Sequence, residues 1–359
     1  MTLFPFILCC AALFTATLNA LTMRVVRLRD SAEISERVAL LIPMRNEERN
    51  VTDCIEAALS SSHLSQFSVT VLDDNSTDQT AKFLNSFGSR INVIHGAPLL
   101  NGWMGKNFAL SQLAAASKAE YLVFTDADVR LTPEAISSSI ALMQKLRWDY
   151  ISPYPRQIAR TFAELLIQPL LQWSWMSSVI LRIAEKSQRP STTIANGQLF
   201  IVKRTAYEEI NGHENIKNEV LDDMELAREL VRHGFRGGIA DASQVVSCRM
   251  YANGRELIEG YTKSLWRAFG GVSGTVLAIL ILTWTSLTPF YGAVTGSALA
   301  LGGLIITILS RVVVALRTRS NALLALLHPL AIVFLFILIA ISWMKKRNGN
   351  LQWRGRTIS

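Results

Sequence analysis

Cysteine is scarce in this chain, and the four present (Cys9, Cys10, Cys54 and Cys248, in 359 residues) have no metal-ligand spacing. That excludes a structural zinc site, and unpaired thiols suit a reducing compartment. Cys9 and Cys10 lie in an apolar segment, and Cys54 on the apolar face of an expected helix. No internal repeat or low-complexity stretch is present, so a solenoid is excluded. Charge is also sparse, with 18% of residues charged against 50% hydrophobic. No basic residue precedes Arg24. The first apolar segment therefore lacks the positive leader region of a cleaved signal peptide. The basic cluster after it favours a signal anchor whose basic side stays in the cytoplasm.

The apolar residues concentrate at 2–22, 160–184 and 270–344, leaving 36–155 with the balance of a soluble domain. The net charge is +8. Many basic residues flank the apolar segments: Arg24, Arg27 and Arg29; Arg311, Arg317 and Arg319; Lys345, Lys346 and Arg347. This placement points to a cytoplasmic membrane face and anionic lipid headgroups rather than to nucleic acid. The expected division is an anchor at 1–23, a catalytic domain at 36–268, membrane segments at 270–344 and a basic cytoplasmic tail at 345–359. The chain would then be a multi-pass protein of the cell membrane with its catalytic domain in the cytoplasm.

Within the catalytic domain, 157–185 reads as an amphipathic interfacial segment. It mixes Arg160, Glu164, Gln168, Gln172 and Arg182 with Trp173, Trp175 and Met176, which suits an interfacial helix or helix pair. A buried core helix is the alternative. Residues 271–310 are long enough for two spans broken near Pro289, and 322–344 for a third. Three spans would put the basic tail opposite the catalytic domain, against the positive-inside bias. A re-entrant hairpin broken near His328-Pro329 would resolve the conflict, and the sequence leaves both open.

Between 36 and 155 short apolar runs alternate with helical patterns. Strands are expected at 38–43, 68–73, 91–94 and 121–124. Asn46 is placed to cap a helix carrying Val51, Cys54, Ile55, Ala58 and Leu59 at helical spacing. Ser76 and Gln79 fit a capping box opening a helix to about Phe87. Lys106 to Ser117 reads as a helix, and Thr132 with Pro133 as the start of another. This alternation predicts an α/β fold with a parallel sheet and right-handed crossovers.

Two of the apolar runs end abruptly in acids. VLDDNSTDQT covers 71–80 and VFTDADV covers 123–129. Buried strands deliver carboxylates in this way to the rim of a sheet, where ligands of open α/β sheets bind. Asp126 and Asp128 alternate in an extended segment, so both can reach one hard cation. Asp73 and Asp74 suit a uracil imide or a ribose hydroxyl, although Asp74, Asn75 and Ser76 also make a turn. Pro43 to Glu48 (PMRNEE) closes the first strand on the same rim. Lys106, after Gly102 and Gly105, suits a diphosphate or an open surface. Asp222 and Asp223 open an amphipathic helix. They suit either its dipole or a proton-accepting role at a cleft. Asn196, Gly197 and Gln198 precede an apolar run and make either a simple turn or a place where substrate nears the backbone. His213, His233 and His328 have no ligand spacing and read as structural.

With these motifs in order, the chain resembles family 2 glycosyltransferases of the GT-A fold. Within them it is similar to the membrane-bound branch of hopanoid-associated and diaponeurosporenoate (carotenoid) glycosyltransferases. The resemblance runs from about residue 36 to 356. It includes PMRNEE at 43–48, DDNSTD at 73–78, GKN at 105–107, DAD at 126–128, NGQ at 196–198 and DD at 222–223. It continues through RMY at 249–251, EGYTK at 259–263, HPL at 328–330 and WRGR at 353–356. The resemblance implies an N-terminal anchor, a nucleotide-diphospho-sugar domain and C-terminal transmembrane helices.

It also implies roles. Asp73 and Asp74, with Pro43, Arg45, Glu47, Lys106 and Asp126, would bind a UDP-sugar. Asp126 and Asp128 would hold its diphosphate through Mg2+ or Mn2+, and Asn196, Gly197 and Gln198 would meet the acceptor. Asp223 matches the general base; the family's preceding Glu is Asp222 here. The Q-x-x-R-W motif of processive synthases is absent, which favours a single transfer to a lipid of isoprenoid, hopanoid or carotenoid type. The rivals are a polyprenyl-phosphate sugar synthase, whose phosphate acceptor needs no base, and a non-catalytic membrane scaffold that binds sugar nucleotide. A nucleotidyltransferase would want a Gly-rich basic loop near its N-terminus.

Overall fold

A computed structural model describes residues 3–353, 356 and 357. The WRGR motif and the basic tail thus lie partly outside the described residues. The chain divides into two compact units, each discontinuous in sequence. One comprises Arg24–Arg156 and Ala184–Arg249, the other Met1–Met23, Gln157–Ile183 and Met250–Ser359.

The first unit is built on strands β1 (Ile34–Met44), β2 (Leu64–Asp73), β3 (Asn92–His95), β4 (Tyr121–Thr125), β5 (Val129–Leu131), β6 (Tyr150–Tyr154), β7 (Arg156–Gln157, of which Gln157 falls to the second unit), β8 (Leu199–Lys203), β9 (Gly237–Asp241) and β10 (Val246–Cys248). A seven-stranded sheet runs β3-β2-β1-β4-β8-β6-β9, and a smaller one β5-β10-β7. The central runs of β1 and β4 are buried throughout, as expected of strands covered on both faces.

The sheet is mixed, not parallel as the alternation suggested. β1 pairs in parallel with β2 and β4, but β8 is antiparallel to both β4 and β6. The regular alternation ends near residue 155, and β8 follows the long excursion through 157–195, so no short crossover fixes its direction. It enters the sheet where β4 ends, with Leu199 opposite Thr125.

Several helix starts also differ from expectation. Asn46 does not cap a helix. It sits in the left-handed region at φ 53, and its Oδ1 accepts from Thr77 N at 2.8 Å. The helix after it begins at Val51. The Ser76/Gln79 box is not formed; Ser76 Oγ accepts from Asn46 N at 3.1 Å, and the helix is Thr80–Asn85. Because β1 and β2 end level, Met44 opposite Asp73, side chains positioned to cap their own helices find the neighbouring loop instead. The helix expected at Thr132-Pro133 begins at Ala135.

The second unit is helical. Helix Phe162–Ser178 is opened by a capping box of Thr161 and Glu164, and a short helix, Leu181–Ser187, follows it across the boundary of the units. Leu3–Thr22, Val272–Val294, Ala298–Arg317 and Leu323–Arg347 are long and apolar enough to cross a membrane. The break expected at Pro289 lies instead at Gly296, whose φ is 87. A π turn at Thr283–Leu287 precedes the proline. Such a turn relaxes the ladder that a proline ring would otherwise disrupt, so the helix continues.

Candidate active site

The C-terminal ends of β1, β2 and β4 form one rim, where ligands of open α/β sheets bind. Pro43 lies opposite Leu72, and Met44 opposite Asp73. Asp73 and Asp74 are both buried. Asp73 Oδ1 accepts from Ser76 N at 3.1 Å, so one carboxylate oxygen belongs to the turn. Arg45 Nη1 donates to the carbonyls of Asp74, at 2.5 Å, and Asn75, at 3.1 Å. Glu47 Oε2 accepts from Asn50 Nδ2 at 2.8 Å. Pro43, Arg45, Glu47, Asp73 and Asp74 are thereby gathered along the β1–β2 edge of the rim.

Antiparallel β8 brings the Asn196–Gln198 turn against the end of β4. The Gln198 carbonyl accepts from Thr125 Oγ1 at 2.8 Å and from Asp126 N at 3.3 Å. Lys106 Nζ pairs with Asp126 Oδ1 at 2.8 Å and Asp222 Oδ2 at 3.5 Å. Burial works against the Lys106 charge, yet Asp126 and Asp222 outweigh it and hold the ammonium above its ordinary range. Asp223, in the first turn of helix Asp222–Arg232, is pushed up to about 6 by burial and then by Asp222. A carboxyl poised near neutrality can exchange a proton with substrate.

Asp128 is pushed up to about 7 by burial and then by the charges of Asp126 and Glu47. Its Oδ1 is buried with no hydrogen-bond partner. A buried carboxylate oxygen without a donor is costly, and a hard divalent cation is the partner that would satisfy it. Among the described residues no cluster of three or more metal-ligating side chains exists. Asp126 and Asp128 would therefore supply only part of a coordination shell, which suits a cation completed by a diphosphate.

Gly197 closes the site. A Cβ there would lie 3.2 Å from Asp223 Cβ and 3.3 Å from Lys106 Nζ. The pocket is lined by Lys106, Asp126, Gly197, His213, Asp222 and Asp223, among others. Asn196 and Gln198 are tied to the surrounding protein. Asn196 N donates to Ser152 Oγ at 2.8 Å, and the buried Gln198 Nε2 donates to Cys248 Sγ at 2.9 Å.

Two further residues matter. Buried Asn107 donates through Nδ2 to the carbonyls of Ile216, at 2.8 Å, and Glu219, at 3.0 Å. It thus fixes the loop that delivers Asp222; its place in the GKN run was the signal. His213 holds its loop through Tyr207 Oη, 2.8 Å from Nδ1, and also lines the pocket. Burial lowers it to about 4, so it is neutral. Other motifs fall in the helical unit. There Gly260, in EGYTK, leaves room for the ring of Tyr251, in RMY, which a Cβ would strike. That pair serves packing.

The Glycosyl transferase family 2 model matches residues 39–211. The chain carries a family 2 glycosyltransferase domain. The match takes in the acids of the rim, Lys106 and Asn196–Gln198, and stops short of Asp222. A 4,4'-diaponeurosporenoate glycosyltransferase of Staphylococcus aureus (strain MRSA252) is 24% identical over 338 residues, 90% of this chain and 88% of that protein. One from Staphylococcus haemolyticus is 25% identical over 271 residues, 72% of this chain and 69% of that protein. Among solved structures, a mannosyltransferase from Pyrobaculum calidifontis in complex with GDP-Man and Mn2+ aligns at TM-score 0.56. It is 17% identical and covers 96% of this chain and 98% of its own. The chain is a glycosyltransferase, and its mixed sheet is that of the GT-A fold.

Proposed function

We propose that this glycosyltransferase moves a sugar from a nucleoside diphosphate donor, a UDP-sugar in the first instance, to a lipid acceptor at the cell membrane, with inversion at the anomeric carbon. The observation that carries the reading is Lys106 bridging Asp126 and Asp222 beside Asp223 and Gly197. One ammonium thereby links the donor side of the pocket to the side that holds a base. The relatives named for diaponeurosporenoate support an acceptor of isoprenoid or carotenoid type, and the four apolar helices support a membrane setting. The solved mannosyltransferase holds GDP-Man, so guanosine donors belong in the test.

In this mechanism Asp73 and Asp74 take the nucleoside, with Pro43, Arg45 and Glu47 along the same edge. Asp126 and Asp128 would hold Mg2+ or Mn2+ on the diphosphate side of the site. The cation supplies Lewis-acid neutralisation of the leaving group. Lys106 exchanges a carboxylate for a phosphate oxygen as donor binds, adding charge stabilisation where the departing diphosphate develops it. Asp223 accepts the proton of an attacking hydroxyl as the new glycosidic bond forms and the bond to the diphosphate breaks. The Asn196–Gln198 turn borders the acceptor, with Gly197 giving it access to Asp223. A carboxylic acid acceptor, already ionised near neutrality, would place little demand on that base.

The test is transfer of label from a panel of radioactive UDP- and GDP-sugars into organic-extractable lipid. Membranes carrying the wild-type chain are compared with Asp223→Asn and Asp128→Asn. Labelled lipid from wild type alone is the expected result. Label retained by Asp223→Asn but lost in Asp128→Asn would turn the reading to an acceptor that needs no base. Nucleotide binding without any transfer would overturn it.

A further inference from the structure

Resting on the membrane setting proposed above, we infer that Leu323–Arg347 does not cross the bilayer. It dips into one leaflet and returns, so the C-terminal end lies on the face where the first helix ends. The helical unit carries its own depth markers. Thr307 Oγ1 donates to the Thr285 carbonyl at 2.9 Å, and Cys9 Sγ lies 3.5 Å from the same oxygen. Thr285, Thr307 and Cys9 therefore share a level well inside their helices. Arg317 Nε donates to the Ala20 carbonyl at 3.0 Å, which joins the C-terminal ends of Ala298–Arg317 and Leu3–Thr22. Val272 begins its helix on that face too, because Val272–Val294 and Ala298–Arg317 are antiparallel neighbours that meet at Thr285 and Thr307.

The last helix starts at depth. His328 Nε2 is 2.9 Å from Ser286 Oγ, and Nδ1 is 3.1 Å from Arg311 Nη1. It ends near the face. Ser342 Oγ accepts from Trp266 N at 2.9 Å and donates to the Thr262 carbonyl at 2.7 Å. Lys345 Nζ reaches Thr262 Oγ1 at 2.9 Å, and Lys346 Nζ stands 4.4 Å from the Trp266 ring centre. Trp266 lies in helix Gly254–Ala268, just before Val272. The stretch from His328 to Ser342 equals that from Ser286 back to Val272, about 21 Å at about 1.5 Å per residue.

Arg317 is already at that face, so the short segment from Thr318 to Leu327 must descend to His328, partly as the 3-10 turn Leu323–Leu327. Irregular backbone at membrane depth is tolerated only where protein covers it. His328 is 0% exposed and Arg311 3%, so protein covers the tip, while the descending 3-10 turn bonds within itself, as from Ala325 N to the Ala322 carbonyl at 3.1 Å. Leu323, Leu326, Phe334 and Ile337 are exposed along the hairpin, and the hydrocarbon of the leaflet is their occupant. The arrangement gathers Arg317, Arg319, Lys345, Lys346 and Arg347 on one face, as the positive-inside bias requires.

The test is labelling with a membrane-impermeant maleimide in the full chain, in sealed vesicles of both orientations. Thr295→Cys, Asn321→Cys and Asn350→Cys are compared with the parent chain as blank. Asn321→Cys and Asn350→Cys reacting from one face, with Thr295→Cys reacting from the other, is the expected result. Asn350→Cys reacting from the face of Thr295→Cys would overturn the hairpin while leaving the membrane setting intact. Asn321→Cys sharing the face of Thr295→Cys would remove the membrane-crossing reading and the hairpin with it. Should a cysteine variant fail to accumulate, trypsin release of a C-terminal epitope from the otherwise native chain reports the same face.

Discussion

Lys106 bonds Asp126 and Asp222 but not Asp128 or Asp223, so these four acids fall into two pairs. The pair without the ammonium is the one that burial shifts, and each member makes a prediction. For Asp223, raised to about 6, the carboxylate is the working form. Activity toward a hydroxyl acceptor should therefore fall as pH drops through about 6, in a kcat/KM profile. Asp223→Asn should cost about 10²- to 10⁴-fold, the usual worth of general base catalysis, and abolish that limb. For Asp128, raised to about 7, the folded state resists ionisation. Its contribution is therefore destabilising and grows as pH rises from the ordinary carboxyl range to about 7. Metal-free Asp128→Asn should melt above wild type at pH 8 and level with it at pH 4. Mn2+ should raise the melting temperature of wild type and not of the variant. Gly197→Ala tests the close approach to Asp223 and Lys106. Thermal melting should change little while transfer falls by at least about tenfold, the cost of about 1.4 kcal/mol in the barrier.

At the scale of elements, the site depends on loops tied across the sheet. Asn107, on helix Gly105–Ala116, holds the carbonyls of Ile216 and Glu219. Asn107→Ala should destabilise the protein by about 1–3 kcal/mol, the cost of buried groups left unpaired, as read by denaturant unfolding. It should also lower activity by releasing Asp222, and Asp222 variants should then add little further loss. Much of this was legible in the sequence. The strands ending in Asp73 and Asp126 were marked by apolar runs that stop at acids, and Lys106 by the glycines before it. The direction of β8 was not, because periodicity reports which face a residue occupies and says nothing of strand polarity. The caps at Asn46 and Ser76 were misassigned for a related reason. Local pattern offers a side chain its own helix, whereas level parallel strands offered these two each other's loops. His213 was legible as structural but not as a pocket wall, since its neighbours there come from distant segments.

For the whole molecule, the apolar helices set how it is handled. In the membrane setting proposed above, their exposed flanks, such as Leu280, Phe290, Leu301 and Phe334, would meet hydrocarbon. The chain should stay with membranes through an alkaline carbonate wash and leave them in detergent, with transfer activity following it into the extract. The interleaving of the two units has a further consequence for how such an enzyme can be divided. Gln157–Ile183 is threaded through the middle of the catalytic unit's sequence. Trimming the chain at either end therefore leaves that segment in place. A fragment spanning 24–249 keeps that greasy internal exon-like insert and should aggregate without surfactant. Removing it would instead take an internal excision between residues 156 and 184.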